Sequence, residues 1–469
     1  MKFELLFLDA VDHSLGRLDY ASLSQQALME MVIEGITNKE KICGDADEPK
    51  DIEEWKGVKI EGGEVIEIKW RSSWLMGPLC VEWLPSSVKE LVVSGNRLAS
   101  TLDLALPTSM KELDLSVNKF TGPIDLERLP ERMESVNVSN NEFCGSLKLW
   151  SLPDTLTDFR AYNNKFSGSV DLTRLPVGLE FLNLADNLLS GPVVLTHLPG
   201  RLEKLHLRGN NFSGLIDLET LPERMANLNV CNNELSGSLK LDSLPNTLTH
   251  FIASNNGFSG TVDLTRLPAA LAILDLSENL LSGPVVLTHL PGELEKLHLR
   301  GNNFSGLIDR ETLPERMDNL KVNEDELSGS LKLDSLPDTL TEFHANDNKF
   351  SGSVDLTRLP VGLVVLDVGI NWLSGSVVLT ELPSSLVELT LSINEFSGCL
   401  DLTRLPSSIS SLRFNENAFS GTVDLSQLPQ ELLFLNLSYN QLSGEVFIPD
   451  ALFDAVKVEN TKLIKRHMK

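Results

Sequence analysis

Apolar residues recur along this chain at places set by a period of 23. The stretch LPERMANLNVCNNELSGSLKLDSLPNTLTHF, residues 221–251, shows one unit, and a Leu-Pro pair closes and opens each copy. Proline stands at 85, at 107, and then every 23 residues to 429, a register that takes 16 of the 22 prolines. Counting from each proline, the apolar places are +3, +6, +8, +13, +17, +19 and +22; from Pro222 these are Met225, Leu228, Val230, Leu235, Leu239, Leu241 and Leu244. Alternation at +6 and +8 predicts a strand with one buried face. The alternating GxLxL at +15 to +19 predicts a second short strand on the flank. A fixed period of this length is the mark of a stacked solenoid. Nothing within the 23 residues has helical spacing.

The polar and special places have their own reasons. Position +11 is Asn in 15 of 16 copies, from Asn96 to Asn440. There the chain turns away from the sheet, and an amide can both donate to and accept from the backbone of the bend. Asp325 is the exception; it lacks the donor, so a local weakening is expected. Position +13 is Phe in nine copies (Phe120, Phe143, Phe166, Phe212, Phe258, Phe304, Phe350, Phe396, Phe419), which predicts a buried aromatic spine. Gly at +15 points to a backbone conformation closed to residues with a Cβ, with Ser100 as the departure.

The consensus LPxxLxxLxLxxNxFSGxLxLxxLP resembles the plant-type leucine-rich repeat, LxxLxLxxNxLSGxIP, as in NLNVCNNELSGSL and LEKLHLRGNNFSGLI. The unit is one residue shorter than that family's, and LDL or VDL replaces its Ile-Pro. Long LP-rich arrays of unicellular eukaryotes are similar in style. The resemblance covers residues 62–448 and implies a leucine-rich-repeat solenoid: a curved right-handed coil with a concave parallel sheet, a non-helical convex side and an N-terminal helical cap. It also implies protein binding rather than one particular function.

The ends depart from the repeat. With Gly62 in the proline's place, Val65, Ile68 and Trp70 fall at +3, +6 and +8, so a seventeenth copy begins there. Just before it, Trp55, Gly57 and Val58 match the N-terminal cap of plant-type arrays, with Ile60 where that cap has a cysteine. Residues 20–36 have apolar residues at helical spacing and predict a helix covering the first strand edge. Val456 and Val458 suggest a last strand, and the basic tail KLIKRHMK reads as frayed. The expected organisation is a cap over 1–61, about 17 repeats over 62–448, and a C-terminal cap and tail over 449–469. A larger period is also present: LPERM returns at 129, 221 and 313, and the segment 191–217 returns almost verbatim at 283–309, so the array has grown by blocks of four repeats.

Composition narrows the function classes. The chain has 469 residues, 42% of them hydrophobic, and a net charge of −26. That acidity disfavours nucleic acid. The five cysteines (43, 80, 144, 231, 399) have neither metal-ligand nor disulfide-framework spacing. The opening LLFL is too short for a secretory core, and no apolar run is long enough to span a membrane. These features predict an intracellular, cytoplasmic monomer. No cofactor, metal site or catalytic constellation is expected, and the eight histidines have no consistent Ser or Cys partner.

Strand positions +5, +7 and +9 face away from the core and are the natural binding surface. Most are small or polar. Lys204, His206 and Arg208 instead share one strand, beside Arg160, Tyr162 and Phe181; the copy 92 residues on contributes Ile273, Lys296, His298 and Arg300. Arg and aromatic residues are favoured anchors. The expected role is a non-enzymatic scaffold holding a protein partner with an acidic segment on the concave face. A structural subunit of a larger assembly and an extracellular recognition domain are the alternatives. Surface residues merely doubled by duplication would give the same pattern. The sequons at Asn137, Asn211, Asn303 and Asn436 arise from the repeat itself.

Overall fold

The structure is a computed structural model that describes residues 23–309 and 313–468. It divides into two compact units, Met1–Phe143 and Cys144–Lys469. Both are β-solenoids made of the same stacked turn, with very little helix. Between the end turns, each turn begins with a three-residue strand centred on position +6, such as Lys204–His206 or Asn227–Asn229. In the second unit these strands pair in parallel at an offset of one period: Leu205 beside Leu228, Leu228 beside Phe251, Phe251 beside Leu274. The sequence period is therefore the register of the sheet, and one inserted residue on a strand would turn its apolar face outward. In the first unit Ile68, Leu91, Leu113 and Val136 stand side by side in the same way.

The predicted second strand is present. Glu234–Gly237 and Gly257–Gly260 pair in parallel, with Gly237 opposite Phe258. Gly237 has φ +89°, and a Cβ there would stand 2.5 Å from a methyl of Leu215, so the position needs glycine on two counts. Ser100 is not among the positive-φ residues; it stands in the one turn of 22 residues, which the first unit closes differently. Among the described residues the far side of the turns holds only short 3-10 segments, such as Leu126–Arg128 and Leu241–Ser243. Where Asp occupies +18 it fixes the bend into that side: the carboxylates of Asp171, Asp263, Asp355 and Asp401 each accept from the backbone N–H two residues on.

The core follows the pattern. Met225, Leu228, Val230, Leu235, Leu239, Leu241 and Leu244 are all buried. All nine spine phenylalanines are fully buried, and Phe396 and Phe419 stack at 6.2 Å. The asparagine at +11 ties two turns together. Asn233 accepts from Phe212 N–H of the preceding turn and donates to its own turn's Val230 carbonyl and to Leu207 of the preceding one, all at 3.0–3.1 Å. A +8 carbonyl between two such asparagines thereby receives two amide donors, as Ala161 does from Asn164 and Asn187. Asp325 keeps the accepting half, from Phe304 N–H at 3.0 Å, while its Oδ2 is buried without a partner.

Position +10 carries a constraint that the sequence pattern hides. In the turns starting at Pro85 through Pro429 it lies at positive φ, whether occupied by Gly95, Asn140, Asp186, Glu278, Ile370 or Tyr439. Non-glycine residues there cost roughly 1–2 kcal/mol each. The chain accepts this because the sharp turn is what aims the next residue, the asparagine, into the core.

Both ends differ from expectation. The helix spans Gln25–Ile33, with Ser24 Oγ accepting from Ala27 N–H as its N-cap; residues 20–22 of the expected span, like the opening LLFL, lie outside the described residues. It does not cover the strand edge. Val58–Glu61 does that, pairing antiparallel with Glu64–Lys69 through a Gly62-Gly63 turn in which both residues have positive φ. The helix buries Leu28, Met29, Val32 and Ile33 on the flank of the first turn, with Cys80 N–H donating to the Val32 carbonyl. At the other end Val456–Lys457 closes the first sheet beside Leu435 and Asn436. The tail is not frayed: Lys462–His467 pairs in parallel with Gln441–Ile448 over six residues. The His467 ring stacks on Phe453 at 3.9 Å, and Lys465 Nζ donates to the Val456 carbonyl at 2.9 Å. Its charges lie along the outer strand, where charge discourages further pairing.

Candidate binding surface

All ten residues singled out from the sequence lie in the second unit, on the solvent face of the first sheet or at its rim. Parallel register brings six of them together. Asp158, Phe181 and Lys204 stand side by side, and so do Arg160, Asn183 and His206. The Phe181 ring is the centre of the group. The Arg160 guanidinium lies 4.9 Å from its centroid, Lys204 Nζ 5.9 Å, and the His206 ring meets it edge-on at 5.3 Å. Cations over an aromatic face are attracted by its quadrupole. Tyr162 lies half-buried two residues along from Arg160, and Arg208 is exposed at the equivalent place beyond His206.

The other four residues form a separate place. Ile273 neighbours Lys296, and Asp275 neighbours His298. The block duplication carried the Lys-x-His-x-Arg strand here but put Ile273 where the first copy has Phe181, so no aromatic platform forms. A polar groove of about 690 Å³ results, lined among others by Asp275, Glu278, His298, Arg300 and Lys321.

Sequence reasoning missed the acidic partners. Asp158 holds Arg160 at 2.5 Å, Asp186 holds Arg208 at 2.8 Å, and Glu278 holds Arg300 at 2.9 Å. Asp186 and Glu278 occupy the positive-φ position +10, which aims them back toward the sheet face of the adjoining turn. Asn319, Lys321 and Glu342 were missed as well: Asn319 Nδ2 donates to Glu342 at 2.6 Å, and its Oδ1 lies 3.0 Å from His298 Nε2. Asp186 and Glu278 stand one turn, 22 residues, before the arginines they hold, and Asp158 stands two residues before Arg160 on the same strand.

Three histidines of the sheet face favour the neutral form. Burial, the largest cause in each case, holds His206, His298 and His344 below the ordinary imidazole range. His206 Nε2 lies 3.1 Å from Asn227 Oδ1, a neutral partner. Among the described residues no three His, Cys, Asp or Glu side chains converge as a metal site, and all five cysteines are free. No described helix is long and apolar enough to cross a membrane. Of the sequons, Asn211 and Asn303 are exposed, whereas Asn137 and Asn436 are half-buried on the sheet face.

No protein-family model matches the chain, and no curated protein matches it. Solved structures do. The ectodomain of the Arabidopsis receptor kinase HAESA, solved with a peptide hormone ligand, is 23% identical with a TM-score of 0.66; the match covers 94% of this chain and 86% of that one. The Arabidopsis thaliana receptor kinase GASSHO1/SCHENGEN3 ectodomain, in complex with CASPARIAN STRIP INTEGRITY FACTOR 2, is 21% identical with a TM-score of 0.64, over 94% of this chain and 62% of that one. YopM from Yersinia enterocolitica is 25% identical with a TM-score of 0.52, over 85% and 91%. The 23-residue unit, the asparagine that bonds two turns at once and these likenesses agree: the chain has the fold of a leucine-rich-repeat protein.

Proposed function

We propose that the protein is a non-enzymatic interaction module that binds an extended acidic segment of a protein partner across the sheet face of residues 144–469. One observation carries the reading: an exposed-face phenylalanine, Phe181, set between Arg160 and Lys204 with His206 at its edge. A platform of this kind offers an aromatic surface and two cations to a chain laid across the strands. The aspartates beside Arg160 and Arg208 fix those side chains in place, so an incoming carboxylate meets oriented donors at little further entropic cost. The histidines, being neutral, offer hydrogen bonds without charge.

Affinity capture from the source cell tests this. The wild-type chain is expected to retain a partner that Lys204→Glu/Arg208→Glu loses by at least about tenfold, with thermal unfolding unchanged, since rim charges contribute little to stability. Equal capture by both chains would overturn the reading. In this proposal the module acts in the cytoplasm as a monomer. Extracellular recognition is the second reading, supported by the receptor ectodomains whose fold it shares and by the exposure of Asn211 and Asn303. Glycans on those two asparagines would decide for it. The structural-subunit reading places contacts at the edges and the tail, and loss of assembly only on deleting residues 1–60 or 450–469 would favour it.

A further inference from the structure

The corner where each turn leaves the first sheet, positions +10 to +12, holds a second surface distinct from the Phe181 platform. Position +10 needs the left-handed backbone, which aliphatic β-branched residues tolerate worst. Three turns nevertheless place one there: Val117, Ile370 and Ile393. None is repaid by burial, for the three are 52%, 42% and 39% exposed. Each stands beside an exposed tryptophan. Val117 shares a small recess with Trp74, whose ring already carries the Arg97 guanidinium at 5.4 Å. Ile370 and Ile393 flank Trp372, which is 57% exposed, in a groove of about 380 Å³; among the described residues no cation lies over that ring. The groove is rimmed by Glu395 and Glu416, exposed carboxylates that form no ion pair with any described residue.

The left-handed corner serves the fold in every turn, but an exposed β-branched side chain at it, where Gly or Asn would cost less, does not, and such a side chain serves an occupant. We propose that the Ile370–Trp372–Ile393 groove docks an extended peptide segment that alternates aliphatic side chains with Lys or Arg. The aliphatic groups fill the space between the two isoleucines and the tryptophan. The cations meet Glu395, Glu416 and the open face of Trp372. Charge complementarity selects this occupant: the rim is acidic, and the whole chain, at −26, draws basic partners. Successive turns are about 4.8 Å apart and an extended chain rises about 3.3 Å per residue, so a peptide lying across the turns meets a new corner every one to two residues.

The test uses the full chain and fluorescence anisotropy with three labelled peptides whose cores are Leu-Lys-Leu-Lys, Ser-Lys-Ser-Lys and Leu-Glu-Leu-Glu. The first is expected to bind about tenfold more tightly than the second, although their charge is equal, and the third to bind least at this groove. Trp372→Ala and Glu395→Gln weaken the first, whereas Lys204→Glu/Arg208→Glu does not. Ile370→Asn separates ligand binding from folding: asparagine accepts the left-handed backbone, so thermal stability rises while affinity for Leu-Lys-Leu-Lys falls. Equal binding of the two basic peptides overturns the proposal. So does unchanged affinity in Ile370→Asn, or a lower melting temperature in that variant, which would make the isoleucine structural.

Discussion

At the residue scale, Asp325 is the clearest case of a chemical change the fold tolerates at a cost. Its neighbours in the asparagine ladder both accept and donate, and a carboxylate cannot donate. The two carbonyls it would have served, Leu299 and Val322, keep one donor each, from Asn302 and Asn348. The damage therefore falls on Asp325 itself. Burial is the largest cause that pushes its carboxyl from the ordinary 3.8 up to about 8, against the lowering effect of Phe304 N–H. A carboxyl with a raised folded-state pKa favours the protonated fold. Its contribution is intact below the unfolded value near 3.8 and drains away as pH climbs toward 8. Asp325→Asn restores the donor and removes the charge. It is expected to stabilise the protein by about 1–3 kcal/mol at pH 8 and by much less at pH 4. Thermal melts of both chains across that range would check it, and a difference that did not grow with pH would show that the carboxyl is not confined as described.

At the element scale, the spine is the main packing device of the turn. Phe258 lies fully buried on the second strand of its turn, and its N–H donates to Asn279 of the next at 3.0 Å. Phe258→Ala leaves a cavity that neighbouring turns cannot close without losing register, and should cost about 3–5 kcal/mol. Stability in such stacks is a sum of turn and interface terms, so the loss should appear as a lowered or split denaturation curve; an unaltered curve would contradict the packing. The spine, the strand at +6 to +8 and the ladder were legible in the sequence because each has one residue type at one place. The left-handed +10 position was not, since Gly, Asn, Asp, Glu, Ile, Val and Tyr all occupy it and composition there carries no common signal. The tail misled for a related reason. KLIKRHMK is basic and short, but its Leu463 is the register partner of Gly444, and the pairing it makes depends on a strand 19 residues earlier. Of the candidate surface, the lysines, arginines and Phe181 were visible, whereas Asp158, Asp186 and Glu278 were not. They matter only through the neighbours that the fold gives them.

At the scale of the whole molecule, stacking turns a composition into a field. Like charges at one repeat position recur about 4.8 Å apart in adjoining turns and about 10 Å apart in alternate ones. Asp217 and Asp263 share position +18 two turns apart, and Asp401 and Asp424 share it in adjoining turns, where the first raises the pKa of the second against the stronger pull of the Ser426 hydrogen bonds. Opposing this repulsion are exposed ion pairs between neighbouring turns, such as Lys111–Glu134 at 2.5 Å and Lys349–Glu326 at 3.3 Å. Exposed pairs contribute about 0–1 kcal/mol each. Cations can pair with only part of the acid: 66 carboxylate side chains face 40 lysines and arginines. Salt screens both effects, and the excess decides the sign. At about 10 mM salt the Debye length is about 30 Å and each carboxylate is repelled by several turns in either direction; at about 150 mM it is about 8 Å and only the nearest turns remain in reach. Repulsion, the longer-ranged of the two, is lost first. The melting temperature is therefore expected to rise with sodium chloride over this range, while the affinity of the sheet face for an acidic segment falls. A melting temperature that dropped with salt would mean that the inter-turn ion pairs, rather than packing and the asparagine ladder, hold the turns together.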